Sequence, residues 1–337
     1  MRFGRIALDE ALGALLAHAV QTHGKRFKKG HCLTASDITQ LKSAGYDSVI
    51  AAVLEAGDVE ENEAARQVGE RLATSSITAK PAFTGRVNLH ADRPGMFFAQ
   101  RAGMDALNRI CDDITAASLP DGTFIEAGRM VATVKIIPLA VSGDDLSSVC
   151  HLVSEEANRG MPLIAMQAAR SLNVGLIQTQ LSGVKDSVLD KTALRLSERL
   201  QRSASKIVGE QRIAHDSDAL GEALVQMSDD CDIMIVFGAS AITDRRDVIP
   251  AGLEAAGGEL IHLGMPVDPG NLLMMGRLAG KPVIGAPGCA RSPSENGFDW
   301  VLDRLVCGVP VDRDYITGLG VGGLLMEITE RPQPREG

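Results

Sequence analysis

The sequence predicts an α/β protein whose C-terminal half is a doubly wound, mostly parallel sheet with helices on both faces. From Asn173 onward, short apolar runs typical of buried strands alternate with longer segments of helical periodicity. That alternation indicates βαβ units. The chain has 337 residues, more than one ordinary domain, so smaller α+β and β-rich regions are expected to precede this half.

The region before Asn173 is predicted in three parts. Residues 1–75 are interpreted as an α+β region, with helices in LDEALGALLAHAV and EENEAARQVGERLA and a strand in VIAAVL. Between them, Thr34 is predicted to cap a helix that Gly45 ends. Residues 76–142 contain the strand-like runs FTGRVNLHA, GMFFAQ and GTFIEAGRMVATVKIIPLAV, which predict a small β-rich domain. Residues 143–172 are predicted to form a connecting helix.

The α/β domain is predicted over residues 173–310. Its strands are expected in NVGLIQT, KIVGEQRI, CDIMIVF, ELIHLGM and KPVIGAPG. Its helices are expected in SVLDKTALRLSERLQRSA, DSDALGEALVQMSDD, VIPAGLEAAGG and SENGFDWVLDRLVCG. Residues 311–337 are expected to be a C-terminal extension that finishes in the linker-like tail ERPQPREG.

Composition argues against several classes of protein. The net charge of −9 disfavours a nucleic-acid-binding protein, because such binding depends on neutralising phosphates. The six cysteines show no zinc spacing. No window approaches the roughly 20 apolar residues of a membrane span, so no membrane partner and a reduced, cytoplasmic location are expected.

Polar, glycine-containing loops follow the predicted strands of the α/β domain. Ligands of an open parallel sheet bind beyond the carboxyl ends of its strands. The loops would therefore meet at one edge, and their co-location predicts a ligand site. The candidate binding residues are Ser182, Gly183, Lys185, Asp186, Asp216, Gly238, Ser240, Thr243, Asp244, Arg246, Asp247, Asp268, Gly270, Pro287, Gly288, Arg291 and Ser292.

The residue types in these loops indicate a phosphorylated small molecule or a nucleotide. Glycine, serine and threonine at loop–helix junctions present N–H groups and hydroxyls to an anion, and Ser187 and Ser294 are predicted to open helices. Lys185, Arg245 and Arg291 are candidates to pair with phosphate. The carboxylates of Asp216, Asp244 and Asp247 are candidates to accept polar N–H groups or to hold Mg²⁺ beside phosphates.

Each feature also has a purely structural interpretation. Asp216 is a good helix cap, and Asp244 to Asp247 is a charge cluster of the kind that is usually solvated. Asp268-Pro269-Gly270 is an ordinary turn signal. His215 and His262 are interpreted as polar core or surface groups. The stretches GLGVGG and GRLAGKP do not meet the requirements of a dinucleotide fingerprint or a P-loop.

The stretch GASAITDRRDVIPAGLEAAGGEL resembles the signature of the molybdopterin-binding domain family of molybdenum-cofactor biosynthesis. That family includes molybdopterin adenylyltransferases and molybdenum insertases. Residues 246–250 match its R-D-V-x-P motif, and GMPVDPGN with GKPVIGAPGCARSP resembles its later loops. The likeness covers about 173–310 and, loosely, 1–75. It departs at Ala239, where the family often has glycine, and at residues 289–291, where Asn-Pro is usual.

The resemblance implies a protein that binds molybdopterin or the molybdenum cofactor. Asp247, Asp216 and Asp244 become catalytic candidates, Asp247 a candidate Mg²⁺ ligand, and a nucleotide a second ligand. If the protein is an enzyme, nucleotidyl or metal transfer is implied. The nearest likeness is to the module that precedes a nucleotidyltransferase domain, and family members are usually homo-oligomers. The alternatives are a non-catalytic carrier for a separate nucleotidyltransferase or molybdoenzyme, and an unrelated nucleotide-binding enzyme.

Overall fold

The computed structural model describes residues 1–325, so the predicted tail ERPQPREG lies outside the described residues. The chain forms two compact units. One comprises Met1–Arg93 and Phe97–Met166, and the other comprises Pro94–Met96 and the chain from Gln167 onward. No helix within residues 1–325 has the length and apolar character needed to cross a membrane.

The part of the chain before Asn173 contains fourteen strands and four α-helices. The strands are β1 (Arg2–Ala7), β2 (Leu15–Leu16), β3 (Val20–Gln21), β4 (Arg26–Phe27), β5 (Ser48–Val53), β6 (Asp58–Glu60), β7 (Ile77–Ala79), β8 (Arg86–Ala91), β9 (Gly95–Ala99), β10 (Ile114–Ser118), β11 (Thr123–Ile125), β12 (Met130–Ile136), β13 (Ala140–Ser142) and β14 (Ile164–Ala168). The helices are α1 (Ala35–Ser43), α2 (Glu61–Leu72), α3 (Arg101–Asn108) and α4 (Gly143–Asn158).

The helix predicted in LDEALGALLAHAV is wrong. Only Leu8–Glu10 forms a short 3-10 helix, and Leu15–Leu16 pairs as a strand with β5. Gly13 has φ 78°, which turns the backbone out of a helical path. Leu16 is fully buried in the core of this region, so packing beside β5 overrides the local helical periodicity. By contrast, Thr34 caps α1 with a capping box, as its sequence predicts.

The antiparallel sheet of order β10-β12-β8-β7 packs on α2 and α4 in a single core. The predicted boundary at residue 142 falls inside that core, because Val149 and Val153 of α4 belong to it. The sequence did not predict α3. The helix predicted over 143–172 ends at Asn158, and β14 follows it.

The second unit contains a six-stranded sheet in the order β16-β15-β17-β20-β19-β18. Its strands are β15 (Asn173–Gln180), β16 (Lys206–Ala214), β17 (Ile233–Phe237), β18 (Glu259–Leu263), β19 (Met274–Leu278) and β20 (Lys281–Ala286). The pairs β15–β16, β15–β17 and β17–β20 are parallel, and β19 is antiparallel to both of its neighbours. The predicted doubly wound, mostly parallel sheet is confirmed.

The strand β19 is absent from the sequence prediction. It joins β20 through a tight turn at Ala279 and Gly280, whose φ angles are 50° and 79°. Positive φ at both central residues is typical of the two-residue hairpin turn. The stretch GRLAGKP is therefore a hairpin. Because β18 and β20 both pair antiparallel with β19, they run in the same direction.

Helices cover both faces of this sheet. They are α5 (Asp186–Leu200), α6 (Ser217–Ser228), α7 (Val248–Ala255) and α8 (Gly297–Val306), followed by α9 (Arg313–Gly318). Met234 and Val236 of β17 share a core with α6 and α7. On the opposite face, the ring of Phe237 lies 6.2 Å from that of Phe298 on α8. Each face of β17 is therefore buried, which explains its unbroken apolar sequence.

We expect Asp303 on α8 to make the stability of the second unit depend on pH. Burial raises the pKa of this carboxyl to about 7, although Arg202 lies 3.1 Å away. An unfolded aspartate titrates near pH 3.9. The folded state therefore binds more protons between about pH 4 and 7, so its free energy of unfolding falls as pH rises through that window.

Asp303→Asn removes this proton uptake. The variant should gain stability relative to the unmodified protein on going from pH 4 to pH 7.5, by on the order of 1–4 kcal/mol. Urea unfolding followed by fluorescence of Trp300, the chain's one tryptophan and a residue of α8, measures this difference. Asp314→Asn, at an exposed position, is the matched control. A difference that stays constant over this pH range contradicts the prediction.

Candidate functional site

The strand order places a topological switch point between the carboxyl ends of β15 and β17. From β15 the chain passes through α5 to β16 on one side, and from β17 it passes through α7 to β18 on the other side. Neighbouring strands whose connections leave in opposite directions form a topological switch point, which is where open α/β sheets bind ligands. The candidate site is therefore centred on the loop that follows β17.

A hydrogen bond connects the loop after β17 to the end of β15. The backbone N–H of Ala239 donates to Thr179 Oγ1 at 2.9 Å. Gly238 precedes it in a close turn, because a Cβ there would lie 2.8 Å from Ile249 Cδ1 and from the carbonyl oxygen of Ser240. The predicted residue Gly238 is thus required by packing at the strand exit.

The predicted site residues lie at the carboxyl edge of the sheet, in the loops after its strands or, for Asp186, at the first residue of the following helix. The loops follow β15, β16, β17, β18 and β20, and these five strands all run in one direction. Two sets of loops can be distinguished by the helices that they begin. Asp216 and Asp247 begin α6 and α7 on one face, whereas residues 182–186 and 287–292 lead to α5 and α8 on the other.

The three candidate catalytic carboxylates have local partners. Asp216 caps α6, because its Oδ1 accepts the N–H groups of Asp218 and Ala219 at 3.1 and 3.0 Å. Asp247 caps α7 with Oδ1, at 2.8 Å from the N–H of Val248.

The second oxygen of Asp247 closes the loop, because Oδ2 accepts the N–H of Thr243 at 3.1 Å. Asp244 pairs with the exposed guanidinium and the backbone of Arg246, with both nitrogens 2.8 Å from Oδ1. This bonding lowers the pKa of Asp244. Hydrogen bonds and an ion pair within the loop therefore already involve Asp244 and both oxygens of Asp247.

Arg291 differs from the other charged residues of the site. Its Nη2 donates to the carbonyl of Gly238 at 2.9 Å, and its guanidinium lies 5.2 Å from the ring centre of Phe237. Its Nε is buried and has no hydrogen-bond partner among residues 1–325. No carboxylate of the described chain forms an ion pair with it, and burial lowers its pKa. A buried, unpaired cation is costly unless something else compensates it.

Hydrogen bonds from Arg199 of α5 hold the loop that carries Arg291. Arg199 Nε donates to Asp299 Oδ1 at 2.6 Å, and its Nη2 donates to the carbonyl of Ser292 at 2.7 Å. Asp299 also takes part in the capping box at Asn296, which begins α8. The prediction that Ser294 opens this helix is therefore wrong, since Asn296 supplies the cap.

Residues 182–186 and 268–270 differ in how firmly they are held. Gly183 has φ 92°, the side chains of this first loop are exposed, and Lys185 begins α5 without a side-chain capping bond. Ser187 therefore lies one residue inside α5, and its prediction as the first residue of the helix is wrong by one position. Gly270 has φ 140°, and a Cβ there would lie 2.8 Å from the backbone nitrogen of Gly297.

The sequence prediction missed two members of the site, Thr179 and His215. Thr179 Oγ1 lies 2.8 Å from His215 Nδ1, and His215 Nε2 lies 3.2 Å from Ser240 Oγ. The available signal was a polar residue at the end of an apolar strand, NVGLIQT. His215 was interpreted as a polar core or surface group because its contacts with residues 36 and 25 positions away are invisible in sequence.

No group of three or more His, Cys, Asp or Glu side chains in the described part of the chain is arranged to hold a metal ion. A magnesium site that is completed by a ligand's phosphates needs fewer carboxylates from the protein. That is the usual situation for Mg²⁺, which binds one or two carboxylates together with substrate phosphates.

Comparison with known structures finds weak likenesses. The protein CinA from Thermoplasma acidophilum is 15% identical over 40% of this chain and 98% of its own, with a TM-score of 0.33. A molybdopterin biosynthesis MoeA protein from Pyrococcus horikosii is 12% identical over 91% and 75%, with a TM-score of 0.31. The molybdopterin biosynthesis enzyme MoaB from Thermus thermophilus is 16% identical over 41% and 98%, with a TM-score of 0.29. No curated protein matches the chain.

Two sequence families match the chain. Residues 5–53 match a domain of unknown function. Residues 175–306 match the family described as "Probable molybdopterin binding domain", which supports a pterin-related ligand. The chain therefore carries, over residues 175–306, a member of the molybdopterin-binding domain family.

Proposed function

We propose that this protein binds molybdopterin, or the molybdenum cofactor built on it, and acts in molybdenum-cofactor biosynthesis or maturation. The family membership of residues 175–306 supports the pterin ligand. The observation that carries the proposal is the half-buried guanidinium of Arg291 at the carboxyl edge of the sheet, which has no carboxylate partner among residues 1–325 and whose buried Nε makes no hydrogen bond. A phosphate monoester on the pterin supplies the missing negative charge.

The surroundings of Arg291 suit a phosphate. The guanidinium is held by the carbonyl of Gly238 and stacked on Phe237, so little side-chain entropy is lost when it binds an anion. A guanidinium is also a charged donor group whose geometry suits phosphate oxygens. The hydroxyl of Ser240 is exposed two residues from Gly238.

Asp216 is the best candidate to bind the pterin ring. Both of its capping bonds use Oδ1, and no hydrogen bond to Oδ2 occurs within residues 1–325. That oxygen is available to accept an N–H group of the pterin. Asp247 uses both oxygens to hold the loop at Thr243 and the start of α7, so it is assigned to loop positioning. A Mg²⁺ beside Asp247 would be coordinated mainly by phosphate oxygens.

Titration of the full chain with molybdopterin, followed by the ligand's fluorescence or by calorimetry, tests the proposal. A dissociation constant in the micromolar range or lower is expected. Absence of binding at 100 μM ligand contradicts it. Tight binding of ATP without any binding of the pterin would instead support a nucleotide-binding enzyme.

A non-catalytic carrier is the second candidate function. The local partners of Asp244 and Asp247 favour it, because carboxylates occupied in capping and ion pairing are poorly placed for chemistry. Such a carrier would deliver the cofactor to a nucleotidyltransferase or a molybdoenzyme. ATP- or CTP-dependent turnover of bound molybdopterin by the purified chain contradicts the carrier role, and binding without turnover supports it.

Arg291→Gln should weaken molybdopterin binding by about 10- to 100-fold, because a charge-assisted hydrogen bond contributes about 1.5–3 kcal/mol. The folding stability should stay constant or rise, because an unpaired buried charge is removed. Calorimetric titration and thermal unfolding measure the two effects. Arg277→Gln, at an exposed position on β19, is the matched control. Unchanged affinity in Arg291→Gln contradicts its assignment to phosphate.

Asp216→Asn and Asp247→Asn should behave differently although the chemical change is the same. Asparagine caps helices as well as aspartate does, so Asp216→Asn should keep its stability and lose pterin affinity roughly tenfold. Asp247→Asn replaces one acceptor by an NH₂ group and leaves the N–H of Thr243 unpaired, which should cost about 1 kcal/mol of stability. Thermal unfolding and pterin titration of both variants check this pair. Equal loss of stability in the two variants contradicts the assigned roles.

A further inference from the structure

We propose that Thr179 and His215 form a directed hydrogen-bond chain that makes Ser240 a donor to an anionic oxygen of the ligand. This inference rests on the proposed function for the identity of the ligand. The chain itself is a property of the unliganded protein. It assigns Thr179 and His215 as positioning residues and Ser240 as the residue that contacts the ligand.

The direction of the chain is set at Thr179. Its side chain is buried, with 1% exposure, and its Oγ1 accepts the backbone N–H of Ala239 at 2.9 Å. The backbone nitrogen can act only as a donor. Within residues 1–325, the acceptor at hydrogen-bond distance for the Thr179 hydroxyl proton is His215 Nδ1, at 2.8 Å. Thr179 therefore donates to His215.

This contact fixes the tautomer of His215. If Nδ1 carried a proton, it would donate to Thr179 Oγ1, and the buried hydroxyl proton would have no acceptor, which is costly. The neutral imidazole therefore has its proton on Nε2. Since Nε2 lies 3.2 Å from Ser240 Oγ, it donates to that oxygen.

The hydroxyl proton of Ser240 is left without a partner in this chain of hydrogen bonds. Its oxygen accepts a hydrogen bond from His215, so the hydroxyl proton points away from that ring. The residue is exposed at the carboxyl edge of the sheet. A serine without such a neighbour can either donate to a ligand or accept from it. The bond from His215 uses one of the two lone pairs of Ser240 Oγ and leaves the hydroxyl proton free, so this position suits a ligand atom that accepts a hydrogen bond.

The segment of residues 238–240 also positions Arg291, whose guanidinium donates to the carbonyl of Gly238. Two side chains that can donate hydrogen bonds are thus connected to this segment, Ser240 within it and Arg291 through the carbonyl of Gly238. Such donors, one of them charged, favour the oxygen atoms of a phosphate. The sequence departs from the usual family pattern at Ala239 and at residues 289–291, which are the segments involved.

The tautomer of His215 can be measured without any ligand. Long-range proton–nitrogen NMR spectra of the ¹⁵N-histidine-labelled full chain at pH 8 should show His215 with its proton on Nε2. The signals are assigned by their loss in His215→Asn, with His151→Asn, at an exposed position on α4, as control. Thr179→Val should abolish the preference, and Thr179→Ser, which keeps the hydroxyl, should retain it. A proton on Nδ1, or a preference that survives Thr179→Val, overturns the proposal.

The role of Ser240 is tested with two ligands, molybdopterin and the same pterin without its phosphate. Ser240→Ala should weaken the binding of molybdopterin about tenfold and should leave that of the dephosphorylated pterin unchanged. Equal weakening for both ligands overturns the assignment to phosphate. If the unmodified protein binds neither ligand, the proposed function fails, and the NMR result still decides whether the directed chain exists.

Discussion

The parallel pairing of β15 with β17 is the constraint on which the candidate site depends. Its register sets Gln178 opposite Phe237, which brings the next residues, Thr179 and Gly238, to a common edge. From there Ala239 can donate to Thr179, and Arg291 can reach the carbonyl of Gly238. A shift by one residue would turn Thr179 to the opposite face, and the contacts among these elements would be lost together.

Much of the sheet could be predicted from sequence because its strands are buried on both faces and read as continuous apolar runs. CDIMIVF is the clearest case, since α6 and α7 cover one of its faces and α8 the other. The failures have physical causes. LDEALGALLAHAV has a helical composition, but Leu16 gains more by pairing with β5 and entering the core. MMGRL was missed because its antiparallel pairing breaks the expected alternation of strand and helix.

The edge of the sheet at which the candidate residues lie was predictable from sequence, but their contacts were not. The switch-point rule located the edge, and the loop residues that follow each strand lie there. The sequence could not distinguish a carboxylate that only caps a helix from one that also keeps an oxygen free for a ligand. An aspartate before a helix looks the same in both cases. Asp247 and Asp216 differ only in whether one or both oxygens are used. His215 and Thr179 become informative only through contacts between distant segments.

The hairpin at Ala279 and Gly280 lies at the amino edge of the sheet, opposite the carboxyl edge that carries the candidate site. Both residues are exposed, and a Cβ on Gly280 would meet no atom within 4 Å. The chain thus offers an attachment point that is remote from every loop of the site. A fluorophore, an affinity handle or a tether to a surface could be joined there, so that titrations are followed without an added group at the candidate site.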